Sequence, residues 1–123
     1  MADHNDFGKL AEDLAAEFLV KKGYKILARN FHFQKLEIDI VAEFNGMIVV
    51  TEVKARSYTT VIEPQEAVTK GKIKSIVLCA DFFMRERNLD KEVRFDIITI
   101  VPDSAGVMQI THIEDAFQSF DAN

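Results

Sequence analysis

The chain has 123 residues, 48% of them hydrophobic and 28% charged, with a formal net charge of −5. That balance suits one domain, residues 1–123, with its own hydrophobic core. It argues against a protein that coats nucleic acid non-specifically, while two prolines and five glycines argue against a long low-complexity segment.

The opening residues lack a charged stretch followed by an apolar one, and no apolar run approaches the roughly 20 residues that span a bilayer. The single cysteine, Cys79, has no partner for an intramolecular disulfide and falls in an apolar helical pattern. A cytoplasmic protein without a membrane partner is expected.

In chain order, Asn5 or Asp6 can cap a helix beginning near Phe7, where Leu10, Ala11, Leu14, Ala15, Phe18 and Leu19 recur at three- and four-residue spacing. Gly23 is placed to end it. By phase alone Glu12 falls off the apolar stripe and reads as a solvated residue. Tyr24 to Phe33 reads as a strand, interrupted at Arg29-Asn30 by a bulge or bend.

Next come two β-branched runs around Asn45-Gly46, the dipeptide best suited to a two-residue type I′ turn. With Phe44 paired to Met47, the register puts Asp39 across from Glu52 and Glu37 across from Lys54. Alternation then places Glu37, Asp39, Glu52 and Lys54 on one face, and Ile38, Ile40, Val49, Thr51 and Val53 on the other. Ser57 to Pro64 reads as a loop. Gln65 to Asn88 carries a helical pattern that Gly71 divides into a short turn and a longer helix. Val93 to Val101 is a strand, Val107 to Ile113 another, and Glu114 to Phe120 a short terminal helix. The order αβββαββα describes a mixed sheet covered by helices, an α/β fold.

The facing acids are the chemical signal. Opposed residues have Cβ atoms about 4.5–5.5 Å apart, where like charges destabilise a hairpin. A divalent cation, Mg²⁺ or Mn²⁺, is the simplest offset, because hard carboxylate oxygens at this separation can both ligate it. The alternative is an exposed sheet face whose charges only favour solvent. Lys54, Arg56, Lys70, Lys72 and Lys74 cluster on either side of one loop, so a basic rim beside an acidic site is compatible with the acidic total. His4, His32 and His112 show no metal-ligand spacing.

Asp39 followed by Glu52-Val53-Lys54 has the acid…E-x-K form of PD-(D/E)XK nucleases. Asp39 and Glu52 would hold the metal, with the Val53 carbonyl filling another position, and Lys54 would orient the attacking water and offset growing negative charge.

A wider set of stretches carries a family resemblance. Gly8-Lys9-Leu10-Ala11-Glu12, Gly23-Tyr24-Lys25-Ile26-Leu27 with Arg29-Asn30, Glu37-Ile38-Asp39, Glu52-Val53-Lys54-Ala55-Arg56, Glu66-Ala67-Val68 with Lys72, and Arg94-Phe95-Asp96 all match. The chain resembles the YraN family, small bacterial proteins described as candidate endonucleases related in fold to archaeal Holliday junction resolvases.

The resemblance implies a restriction-endonuclease-like fold and metal-dependent hydrolysis of DNA, with branched or structured DNA as substrate. It further implies Glu12 as a helix carboxylate reaching the Asp39–Glu52–Lys54 site, Glu37 as a supporting acid, and Arg56 and Lys72 as phosphate contacts. The chain departs from the family at Leu36 and Ala11, where glycines are usual. A homodimer would suit a two-strand cut, but no interface is identified by sequence. The other function class compatible with these residues is a non-catalytic module that keeps the fold and binds nucleic acid or protein.

Overall fold

The computed structural model describes residues 4–56 and 68–122. Its order is α1 (His4–Lys21), β1 (Lys25–Phe33), β2 (Leu36–Phe44), β3 (Met47–Ala55), α2 (Lys70–Glu86), β4 (Val93–Pro102), β5 (Met108–Phe117) and a 3₁₀ turn at Ser119–Ala122. The strands form one sheet in the order β1-β2-β3-β4-β5. Every neighbouring pair is antiparallel except β3–β4, which is parallel and joined through α2. The sheet is therefore mixed, as the alternation of patterns led us to expect. Among the described residues, no helix is long and apolar enough to cross a membrane.

Each helix covers one face. Ala11, Ala15, Ala16 and Leu19 of α1 are buried against Ile40, Ala42, Val49, Ile98 and Ile100. Small residues on the helix let it lie close to the strands. On the opposite face Ile76, Cys79, Ala80 and Phe83 of α2 pack with Ile38, Val41, Ile48, Val50, Phe95 and Ile97. Cys79 is thus an apolar core residue, with its thiol 3.8 Å from the Phe31 carbonyl.

The end of α1 follows its sequence signals. Gly23 has φ 96°, the left-handed conformation glycine adopts most easily. With it, the Gly23 amide donates to the Val20 carbonyl and the Tyr24 amide to that of Leu19, both at 3.0 Å. These two bonds satisfy carbonyls that the helix end would otherwise leave open. Asn45 and Gly46 have φ 50° and 77°, and Phe44 pairs with Met47, so the β2–β3 hairpin has the expected turn and register. α2 starts at Lys70, one residue before Gly71, with Thr69 as cap accepting from the Lys72 amide at 3.2 Å. The Ser57–Pro64 loop and the start of the Gln65 pattern lie outside the described residues.

One expected element is replaced. Glu114 to Phe117 does not begin a helix but continues β5. Ile113, Ala116 and Phe117 pack into the α2-side core, and the Asp115 amide donates to the buried Asp96 carboxylate at 3.0 Å. A left-handed Asp115 (φ 53°) takes up the register shift opposite Phe95–Ile97. The chain turns helical only at Ser119.

Candidate active site

The β2–β3 ladder runs from Phe44↔Met47 to Ile40↔Thr51 and stops there. Asp39 and Glu52 would form the next rung, so the expected direct pairing gives way to a splay of the two strands. In place of the missing rung, the Val53 amide donates to Asp39 Oδ2 at 2.8 Å. The side chain thus accepts a hydrogen bond in place of a backbone carbonyl, which fixes the Asp39 carboxylate beside β3.

The splay also changes the faces. Ile38 belongs to the α2-side core and Ile40 to the α1-side core, although two residues apart in a regular strand they would share a face. The expected grouping of Ile38 with Ile40, Val49 and Val53 is therefore incorrect. Alternation breaks at Asp39, which lies where both helical layers reach the sheet.

Glu52 is only 5% exposed, which excludes a solvated sheet face at this position. Burial, then the Asp39 charge, push its pKa up to about 7 against the pull of Lys72 and Lys54. The two lysines lie close to it: Lys54 Nζ is 3.6 Å and Lys72 Nζ 3.8 Å from Glu52 Oε1. Lys72 therefore belongs to the same cluster rather than to an outlying rim. It comes from the first turn of α2, which carries no acidic residue to complement the helix dipole.

Glu12 enters from α1. Its pKa is raised by burial and then by the Asp39 charge, while a hydrogen bond from the Asn30 side chain pulls it down. Helical phase alone gave a solvated residue; the fold makes it half-buried and electrostatically coupled to Asp39. Glu37 lies 3.8 Å from His32 on β1 and also raises Glu12. Arg56 is tied to the end of β3, its amide donating to the Ile100 carbonyl and Nη1 to the Ala55 carbonyl. Of the two residues at the family's glycine positions, Ala11 is fully buried under α1 and Leu36 packs on the α2-side core.

Two residues gain roles that sequence reading did not assign. Asn30, visible there as part of an interruption and of a matching stretch, holds the Glu12 pKa down. Asp96 is fully buried and accepts from Arg94 Nε (2.9 Å), Arg94 Nη2 (2.8 Å) and the Asp115 amide, with His112 Nε2 at 2.7 Å. Arg94 also donates to the Tyr24 hydroxyl, and Lys22 Nζ is 2.9 Å from His112 Nδ1. Lysine can only donate, so the network assigns His112 the Nε2–H tautomer. This cluster holds β4 and β5 to the end of α1 and leaves His112 no ring nitrogen for a substrate.

For a metal, the relevant donors are hard oxygens: the Asp39 and Glu52 carboxylates and the Val53 carbonyl. Among the described residues, no group of three or more His, Cys, Asp and Glu side chains forms a ready metal cage. Mg²⁺ is commonly held by one or two carboxylates, with waters and substrate phosphate in the other positions. Two mutually repelling acids, one of them buried, fit that requirement.

Fold and site together define a mixed α/β domain with a carboxylate–lysine cluster at a splayed strand pair. The chain belongs to the uncharacterised protein family UPF0102, whose model matches residues 11–100. It is 47% identical over 117 residues to a UPF0102 protein of Phocaeicola vulgatus, covering 95% of this chain and 96% of the relative. A UPF0102 protein of Flavobacterium psychrophilum is 46% identical over 120 residues, covering 98% and 100%, and one of Christiangramia forsetii 43% with the same coverage.

Proposed function

We propose that this protein is a Mg²⁺- or Mn²⁺-dependent endonuclease of the PD-(D/E)XK type, hydrolysing phosphodiester bonds of DNA, with branched or structured DNA as its substrate. The observation that supports this most is the splay at Asp39. It sets a fixed carboxylate beside the buried Glu52, with two lysines within 4 Å of Glu52. The family resemblance of the short motifs supports the same reading and is the sole basis for naming structured DNA.

In this reading Asp39, Glu52 and the Val53 carbonyl hold the cation. When bound, it supplies charge stabilisation on the phosphoryl group and lowers the pKa of water. Lys54 orients the attacking water and offsets charge developing on the phosphate oxygens. Water oxygen bonds to phosphorus, the P–O bond to the leaving alcohol breaks, and that oxygen takes a proton. Lys72 and Arg56 bind phosphate, and Glu12 supplies a further carboxylate beside Asp39.

Calorimetry with Mn²⁺ on the wild type and Asp39→Ala tests the site without a choice of substrate. Binding by the wild type that Asp39→Ala loses is the expected result; equal binding, or none, refutes it. Cleavage of junction, flap and duplex DNA by the wild type, absent in Glu52→Ala, tests the activity.

The formal charge of −5 favours a second reading, a protein-interaction module without catalysis. It requires binding indifferent to Mn²⁺ and to Asp39→Ala.

A further inference from the structure

Asn30 (φ 51°) interrupts β1 with a left-handed backbone, and the strand changes face there. Arg29 before it bonds Asp13 of α1 at 2.6 Å, whereas Phe31 and Phe33 beyond it pack on the α2 side, the side of the Glu52–Lys72 contact. Phe33 and Phe82 of α2 stack there, with ring centroids 4.1 Å apart and 19° between their planes, and Phe31 lies 6.2 Å from Phe82. In the other two stacked pairs, Tyr24–Phe44 and Phe95–Phe117, at least one ring is buried. Phe33 and Phe82 are both only partly buried, and Leu78, one turn before Phe82, is 50% exposed. Phe82 belongs to neither core, although Phe83 beside it is fully buried. The core therefore does not require an aromatic ring at position 82.

The charge around this pair is positive. Lys35 stands in the turn two residues after Phe33, and Lys74 one helical turn before Leu78. Both are exposed, and among the described residues neither has a salt-bridge partner, unlike Arg29, Arg85 and Lys91. The neighbouring acids are already matched: Asp81 with Arg85 at 3.0 Å, and Glu37 with His32 at 3.8 Å. Two residues before Lys74, Lys72 reaches Glu52. Phe33 pairs with Leu36, three residues along β2 from Asp39, which puts the pair about 10 Å along the strand from that acid. Roughly three nucleotides of a stacked strand cover this distance, at about 3.4 Å each.

We propose that Phe33 and Phe82 form a stacking subsite for a base of single-stranded DNA, with Lys35 and Lys74 taking the flanking phosphates. The inference rests on the nuclease reading above and deepens it, because it follows a DNA strand from the Asp39–Glu52 site along α2. Every base has a π-face, so such a subsite accepts an unpaired strand of any sequence. Bases inside an intact duplex are already stacked on one another and have no face to offer. Selection for DNA with an unpaired segment thus falls to a named surface beside the acids.

The test compares oligothymidine with an abasic oligomer of the same length and charge, read by fluorescence anisotropy in EDTA. The wild type is expected to prefer oligothymidine about tenfold. Phe82→Leu and Phe33→Leu keep an apolar side chain and remove a ring; each should abolish that preference and leave the abasic oligomer's affinity unchanged. Phe82→Tyr should retain the preference, and so should Phe44→Leu, which removes a ring from the α1 side. Lys74→Ala should weaken both oligomers equally and lower the salt slope by about 1. Oligothymidine affinity within twofold of wild type in Phe82→Leu, or an equal loss for both oligomers, overturns the proposal.

A second measurement needs no variant. The Phe33 and Phe82 ring resonances should shift on addition of oligothymidine and stay in place with the abasic oligomer; rings unmoved by oligothymidine also overturn the proposal. Cleavage of DNA that Glu52→Ala abolishes, by a wild type that binds both oligomers equally, refutes this inference alone. No DNA binding by the wild type, in EDTA or in Mn²⁺, refutes both it and the reading on which it rests.

Discussion

The Val53 amide donates to the Asp39 carboxylate at 2.8 Å, at the point where the β2–β3 ladder ends. One side chain therefore terminates a strand pairing and presents an acid at the gap. These two roles can be separated. Asp39→Asn keeps an oxygen acceptor for Val53 and should unfold within about 0.5 kcal/mol of wild type, whereas Asp39→Ala leaves the amide without that partner and should lose about 1 kcal/mol. Both should lose Mn²⁺ binding. Denaturant unfolding and calorimetry on the same samples check this.

Glu52 is buried beside Asp39, so in the absence of metal its charge opposes folding. Glu52→Gln removes that charge while keeping the shape. It should stabilise the protein in EDTA by about 1 kcal/mol, the size of other gains from relieving functional strain. Thermal unfolding at pH 8 in EDTA reads the shift; a lower melting temperature in Glu52→Gln would show that its lysine contacts dominate.

Asp96 has the opposite balance. Burial pushes its pKa up, but bonds from His112, Arg94 and the Asp115 amide prevail and hold it below the ordinary carboxylate range. A depressed folded-state pKa contributes stability above the unfolded pKa of about 3.9, lost as pH falls through the folded value. Asp96→Asn leaves the Arg94 charge only the longer, half-exposed contact to Glu114, 3.8 Å from Nη2, and should lose about 3 kcal/mol at pH 7. The gap from wild type should narrow below about pH 4, as unfolding followed from pH 7 to pH 2 will test.

Thr51 Oγ1 is, among the described residues, the buried side-chain polar atom without a hydrogen-bond partner. Thr51→Val fills the same space without the unsatisfied hydroxyl. It should stabilise the protein by about 1 kcal/mol and leave Mn²⁺ affinity unchanged. Equilibrium unfolding in urea checks the first part and calorimetry the second.

Much of this architecture was legible in local signals. Asn45-Gly46 specified its turn, and the apolar spacing of α1 and α2 specified helices with a buried face. The limits of reading lay where tertiary contacts override a local rule. Alternation past Ile40 assumed a regular strand, and the face change at Asn30 and Asp39 depends on pairing with β1. Helical phase could not bring Glu12 to Asp39, because that approach depends on how the buried face of α1 seats on the strands. Glu114–Phe117 has the composition of a helix start, but Phe117 and the Asp96 acceptor keep it extended.

The left-handed residues Asn30 and Asp115 have a consequence beyond their neighbours. β1 and β5 are the outer strands of the sheet among the described residues, and each carries one of these interruptions. In β1 the reversal falls inside the strand and interrupts its row of amides and carbonyls, while in β5 it falls near the strand's end. The left-handed backbone at Asn30 thereby shortens the regular edge that β1 offers for lateral pairing.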